Sequence, residues 1–330
     1  MNTYPFFPAK YTPEGMSQTR AIKRNAAFIF VAVAAWLLLR SILPNLLLSG
    51  VTMALSAMKL QIPADTAATI YYAADILSTV ISMGLPFFVM IRAIDIPTRT
   101  ALPFRRIRSG FNAGSVLIAL AASTVGVYTG SAMSSAAAAL GFSPRLPQVE
   151  TPTSVQTGIL YTLLMVVLPA FLEEMVFRGA ILQPLRRFGD SFAIVVSAVL
   201  FSLAHLNLYQ IPNAFIMGLL MGYFVVRSGS LWAGVIIHFV NNAVAALFEY
   251  LSGFATPYIV YLMTLLVYLV YLAAGLTALI ITARRNKKLF MLYPADGALT
   301  AAERYRCYFT SASTVVLTLV LLILTVYGML

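Results

Sequence analysis

The chain is 330 residues long, 60% hydrophobic and 10% charged, with 22 Lys and Arg against 11 Asp and Glu. That composition excludes an ordinary soluble domain and describes a protein that crosses a membrane many times. The net charge of +11 then belongs to basic loops at one membrane face rather than to a nucleic-acid surface, and the single cysteine, Cys307, excludes a disulfide framework or a thiolate metal cluster.

In chain order, residues 1–25 form a polar arm with four basic residues and no cleavage site of the kind that ends a removable signal peptide. Apolar runs then predict spans over about Ala26–Leu48, Ala67–Ile91, Phe111–Leu140, Val155–Leu182 and Phe192–Leu206. Further runs follow at about Asn213–Val226, Leu231–Tyr250, Pro257–Thr282 and Thr310–Leu330. The first is interrupted by Arg40 and Pro44, and the fourth carries Pro169, which predicts a kink. Gly141–Thr153 is a loop, Asn207–Pro212 a short turn, and Gly218 and Gly222 give the short sixth run a face for close helix contact. The expectation is an all-α, polytopic transmembrane helix bundle of about eight or nine spans. It forms a single domain over 26–330, with its chemistry within about 155–250.

Loop charge orients the bundle. With the N-terminus cytoplasmic, eighteen of the 22 basic residues fall in inner segments. Lys59 and Arg145 fall in outer ones, and Arg40 and Arg178 within spans.

Glu173, Glu174 and Arg178 interrupt a run that is otherwise apolar from Ile159 to Leu182. An ionised group at mid-bilayer costs roughly 2.5–3.5 kcal/mol on insertion scales, so such groups face the bundle interior or a wet cavity. Glu174 and Arg178, four apart, share a helix face and neutralise one another. Glu173 points about 100° away with no local cation. That placement suits a general base or acid, the alternative being a snorkelling acid beside a structural ion pair.

The chain's two histidines lie on later runs. His205 follows Phe201 by four, and His238 precedes Asn242 by four, with Asn241 between them. A carboxylate, a histidine beside it and a His–Asn pair on a facing helix can activate water and stabilise an oxyanion. Two histidines and a glutamate are also a catalytic zinc set, so zinc at Glu173, His205 and His238 is an alternative. Buried Glu, Arg and His serve proton relays too, which leaves a transporter or a non-catalytic membrane scaffold of the bacteriocin-immunity type as a third reading. The span limits place Glu173 below the middle of its helix and His205 near the outer end of the next, a mismatch in depth for groups that must share one water.

Glu-Glu-x-x-x-Arg, Phe-x-x-x-His and His-x-x-x-Asn, in this order on separate helices, resemble the CAAX-protease and bacteriocin-processing family of intramembrane proteases. That family includes the Ras-converting CAAX endopeptidase and the bacterial Abi proteins. The likeness covers about Val155–Tyr250. It implies that Glu173 is the general base, that His205 helps hold the catalytic water, and that His238 and Asn242 stabilise the oxyanion. It gives Glu174 and Arg178 supporting roles. It further implies a peptidase without cofactor, acting on a peptide or protein substrate at the membrane, lipidated or not, in a bacterial cell membrane.

Overall fold

The structure is a computed structural model that describes residues 17–107, 111–144, 152, 154–286, 291–293 and 299–330. Residues 1–16 of the expected polar arm, most of the loop at 145–153 and parts of the basic loops at 108–110 and 287–298 lie outside the described residues.

The described chain is a bundle of helices. The first is α1, Gln18–Ala57, and Ser17 caps it by accepting from the Arg20 N–H. The helix thus takes in the last eight residues of the expected arm. Next come α2, Ala64–Ala93, and α3, Ala113–Ala139, the latter started by an Asn112–Ser115 capping box. The motif helix α4, Val155–Phe188, begins at a Ser154–Thr157 capping box. After it run α5, Asp190–Leu203; α6, Gln210–Ser228; α7, Leu231–Ser252; and α8, Pro257–Arg285. The chain ends in α9, Ala301–Phe309, and α10, Ala312–Tyr327, which meet at 64°.

Seven of these helices are long and apolar enough to cross a membrane, or eight if the bent α9–α10 pair counts as one span. The sequence suggested about eight or nine. The difference is α5, which has 14 residues where Phe192–Leu206 suggested a full span. At 1.5 Å per residue it covers about 21 Å, short of a ~30 Å hydrocarbon core. It ends in a tight turn whose Leu206 takes a left-handed φ of 52°, and α6 then returns along it. The sixth run is longer than expected. Pro212, placed in a turn by the sequence, lies in the first turn of α6, where a helix needs no N–H from it. Gly218 and Gly222 do make the close contact expected of them. A Cβ at Gly218 would stand 3.0 Å from the Ala198 Cα of α5.

The basic connections gather at one end of the bundle. The Leu231 N–H donates to Pro103 O at 3.1 Å, and Ser230 Oγ to Arg105 O at 2.6 Å. Arg304 donates to Phe188 O at 2.8 Å, Leu299 N–H to Gln18 Oε1 at 3.1 Å, and Arg227 to Met291 O at 3.4 Å. At the other end the Ser143 N–H donates to Met329 O at 2.7 Å.

Burial is concentrated in the middle of the chain. The buried residues of α1 all lie between Ala21 and Val33, and α8 leaves nearly its whole surface outward. Around α4 and α5, in contrast, Ile181, Leu182, Leu185, Ala193, Val196 and Ala198 are fully enclosed. The motif helix is the core of the protein.

Candidate functional site

The motif helix is not a uniform α-helix. Leu163–Val167 and Glu174–Ile181 are π-helical, separated by the α-helical Leu168–Glu173. Pro169 supplies one cause: it has no N–H to give the carbonyl four residues back, that of Met165. In the second π segment side chains from outside take the loosened carbonyls. Ser197 Oγ of α5 donates to Phe177 O at 2.7 Å, and Gln183 Nε2 to Arg178 O at 3.0 Å. Short π segments recur at functional sites because they re-aim the residues they carry.

Those residues are the motif. Arg178 Nη1 donates to Glu174 Oε1 at 2.7 Å, with both side chains fully buried, as the four-residue spacing predicted. The same Glu174 oxygen lies 3.2 Å from His238 Nδ1. A carboxylate only accepts, so Nδ1 carries the hydrogen and the Nε2 edge of His238 faces the other way. There it stands 3.9 Å from Glu173 Oε2, near enough for charge attraction but too far for a hydrogen bond. His238 is therefore held between the two carboxylates. Gly234, one helical turn earlier on α7, permits this: a Cβ there would run into Glu174 Oε2.

His205 lies just past the end of α5. Its Nδ1 donates to the Phe201 carbonyl at 2.8 Å, since a carbonyl only accepts, and this turns Nε2 outward as the remaining polar atom. Phe201 is the common wall of the site. Its ring lies edge-on to His205 at 4.8 Å and to His238 at 5.8 Å, and the Arg178 guanidinium carbon sits 4.1 Å from its centroid. The latter is a cation–π contact in a desolvated setting. It covers a guanidinium whose Nε and Nη2 have no hydrogen-bond partner among the described residues. The mismatch in depth disappears because α5 is short: His205 ends a helix that stops beside the motif.

Glu173 is the open member of the set, with its side chain 23% exposed. Its Oε2 has no hydrogen-bond partner among the described residues. The residue lines a cavity of about 710 Å³ between α1, α2 and α4, with Trp36, Arg40, Asp75, Met165 and Pro169 among its other walls. Arg40 and Asp75 form an ion pair of 2.6 Å across the two helices. The sequence reading noted Arg40 without a role and missed Asp75 and Trp36. The signal was present: opposite charges interrupt two successive apolar runs.

Asn242 stands one helical turn beyond His238. Its Nδ2 points at Met165 O, the carbonyl deprived by Pro169, at 3.5 Å, and its Oδ1 accepts from Asn241 at 3.3 Å. Asn241 accepts in turn from Ser123 Oγ at 3.0 Å.

The structure thus joins Glu173, Glu174, Arg178 and His238 directly, reaches His205 through Phe201, and sets Asn242 against the Met165 carbonyl. Glu173 and His205 share no hydrogen bond or ion pair among the described residues. Among the described residues, no group of three or more His, Cys, Asp or Glu is placed to hold a metal ion. Below the site, Phe104, Phe171 and Trp232 meet at 5.4 Å between each pair of ring centroids. They fasten the basic loop to α4 and α7.

Residues 155–244 match the family model described as type II CAAX prenyl endopeptidase Rce1-like. No curated protein and no solved structure matches the chain. The matched segment begins at the first residue of α4 and ends two residues past Asn242, so it contains every motif residue described above. Over this segment the chain, a multi-pass integral membrane protein, is similar to the Rce1-like CAAX endopeptidase family, a family of peptidases.

Proposed function

We propose that the protein is an intramembrane endopeptidase in which Glu173 activates water. The observation that carries the proposal is the Glu173 Oε2 atom: a buried carboxylate oxygen without a hydrogen-bond partner among the described residues, 3.9 Å from an imidazole nitrogen, on a residue that lines a cavity.

In this reading Glu173 accepts a proton from water and the hydroxide attacks the carbonyl carbon of the scissile peptide. The charge that develops on oxygen is met by His238 and Asn242. His238 can donate there only with a second proton on Nε2, because Nδ1–H already faces Glu174. Asn242 donates by exchanging its 3.5 Å contact with Met165 O for the oxyanion. One such donor is worth roughly 2.7–4 kcal/mol of barrier. Glu173 then returns the proton to the leaving nitrogen as the C–N bond breaks, giving a free acid and a free amine. His205 presents Nε2 to hold the water, since its Nδ1 is committed to Phe201 O. Glu174 and Arg178 fix the orientation of His238. The substrate is a peptide segment of a membrane protein, lipidated or not.

The bundle sits with its basic end, and so its N-terminus, on the cytoplasmic side of a bacterial cell membrane; the gathering of basic loops at one end supports the orientation. Residues 26–330 act as one domain.

The test is quantitative peptidomics of membranes from cells making the wild type or Glu173→Gln. Peptides released by the wild type and lost with Glu173→Gln, at equal protein levels, are the expected result. Identical peptide profiles would overturn the proposal.

A further inference from the structure

The cavity onto which Glu173 opens has a second polar wall, built by helices outside the matched segment. Arg40 of α1 and Asp75 of α2 meet there at 2.6 Å, beside Trp36, Tyr71 and Tyr72. The geometry is that of a prepared binding group. Arg40 is the more open partner, its side chain 41% exposed against 16% for Asp75. The contact with Asp75 is through Nη1. A guanidinium carries five N–H donors in a rigid fork, so an edge remains for a ligand. The Trp36 Nε1–H on the same wall is also a buried donor without a hydrogen-bond partner among the described residues. Donors flanked by aromatic rings match an acceptor-only anion carried on an apolar segment, and a planar fork matches a carboxylate.

Resting on the reading of Glu173 as the base, we propose that Arg40, anchored by Asp75, binds a carboxylate of the substrate and so sets which peptide bond reaches Glu173. Two sources supply such a group: the free C-terminus of a chain and an Asp or Glu side chain. Arg40 acts as a specificity-determining residue on the wall of the cavity that Glu173 also lines. Asp75 is a positioning residue that acts through Arg40.

The test measures binding in full-length Glu173→Gln protein in nanodiscs, so that it needs no cleavage. Three pools of short apolar peptides compete: one with free C-terminal acids, one with C-terminal amides, and one amidated but with a single internal Glu. Retained peptides are counted by mass spectrometry. The expected result is enrichment of the acid pool, or of the Glu pool, over the plain amide pool by about tenfold or more, the factor a charge-assisted hydrogen bond supplies. Which pool wins names the source. The enrichment falls to about one with Arg40→Gln added and is partly restored with Arg40→Lys, which keeps the charge but not the fork. Equal retention of all three pools, or enrichment that survives Arg40→Gln, overturns the proposal. Should Arg40→Gln fail to fold, the contrast between pools together with Asp75→Asn decides it. Enrichment without any cleavage by the wild type would instead count against the peptidase reading alone.

Discussion

Two arginine–carboxylate pairs among the described residues, Glu174–Arg178 and Arg40–Asp75, differ in almost everything except length. Glu174–Arg178 closes at 2.7 Å within one helix, with neither side chain exposed. Arg40–Asp75 closes at 2.6 Å between two helices, with the arginine side chain 41% exposed and the residue lining a cavity. The first pair is wrapped: Phe201 covers the guanidinium and His238 Nδ1 meets the same carboxylate oxygen that Arg178 holds. The second keeps an open face. Contact distance therefore says little about what a buried-sequence ion pair does. The enclosed pair holds an imidazole in place, and the open pair is available to a ligand.

That contrast can be broken at several points. The largest effect is expected from Arg178→Ala. It strands Glu174 as an uncompensated buried charge, at a cost of about 3–5 kcal/mol. Denaturant or thermal unfolding in detergent measures this, and the double variant Glu174→Leu/Arg178→Met is expected to recover much of the stability while losing the fixed orientation of His238. Gly234→Ala comes next. Its methyl group meets Glu174 Oε2, so the carboxylate or α7 must shift, for an expected loss of about 1–3 kcal/mol. Proteolytic activity is expected to fall with it, because His238 depends on that carboxylate. The smallest stability effect belongs to Arg40→Gln. A partly solvated pair contributes about 0–1 kcal/mol, so the melting temperature is expected to stay nearly unchanged. A large loss of stability in Arg40→Gln, matching that of Arg178→Ala, would erase the distinction between the two pairs.

Most of the candidate site was legible in the sequence because ionisable groups stand out in apolar runs. Glu173, Glu174, Arg178, His205, His238 and Asn242 needed only to be noticed and ordered. The pairing of Glu174 with Arg178 followed from spacing alone. The geometry was less legible. Nothing in the residue pattern states that Glu174–Ile181 is π-helical, since that depends on which carbonyl each N–H chooses, although Pro169 announces a disturbed ladder nearby. Nor does the pattern say which histidine approaches Glu173. The resemblance pairs Glu173 with His205, whereas His238 is the imidazole within 3.9 Å. The shortness of α5 was hidden because Phe192–Leu206 is as apolar as a full span; burial by protein and burial by lipid demand the same residues. Arg40 stands out within its own apolar run, but its pairing with Asp75 follows from neither run alone, because the pair exists only between spans.

The central claim is that residues distant along the chain share one pocket in which Glu173 is the base. The most direct measurement is the cleavage rate in proteoliposomes of a peptide identified by the membrane peptidomics, for the wild type, Glu173→Gln, His238→Gln and the double variant. The account predicts a loss of about 10²- to 10⁴-fold for Glu173→Gln at unchanged melting temperature. It also predicts that the double variant is scarcely slower than Glu173→Gln alone, because groups acting as a unit are non-additive. Undiminished cleavage by folded Glu173→Gln, or losses that simply multiply in the double variant, would contradict it.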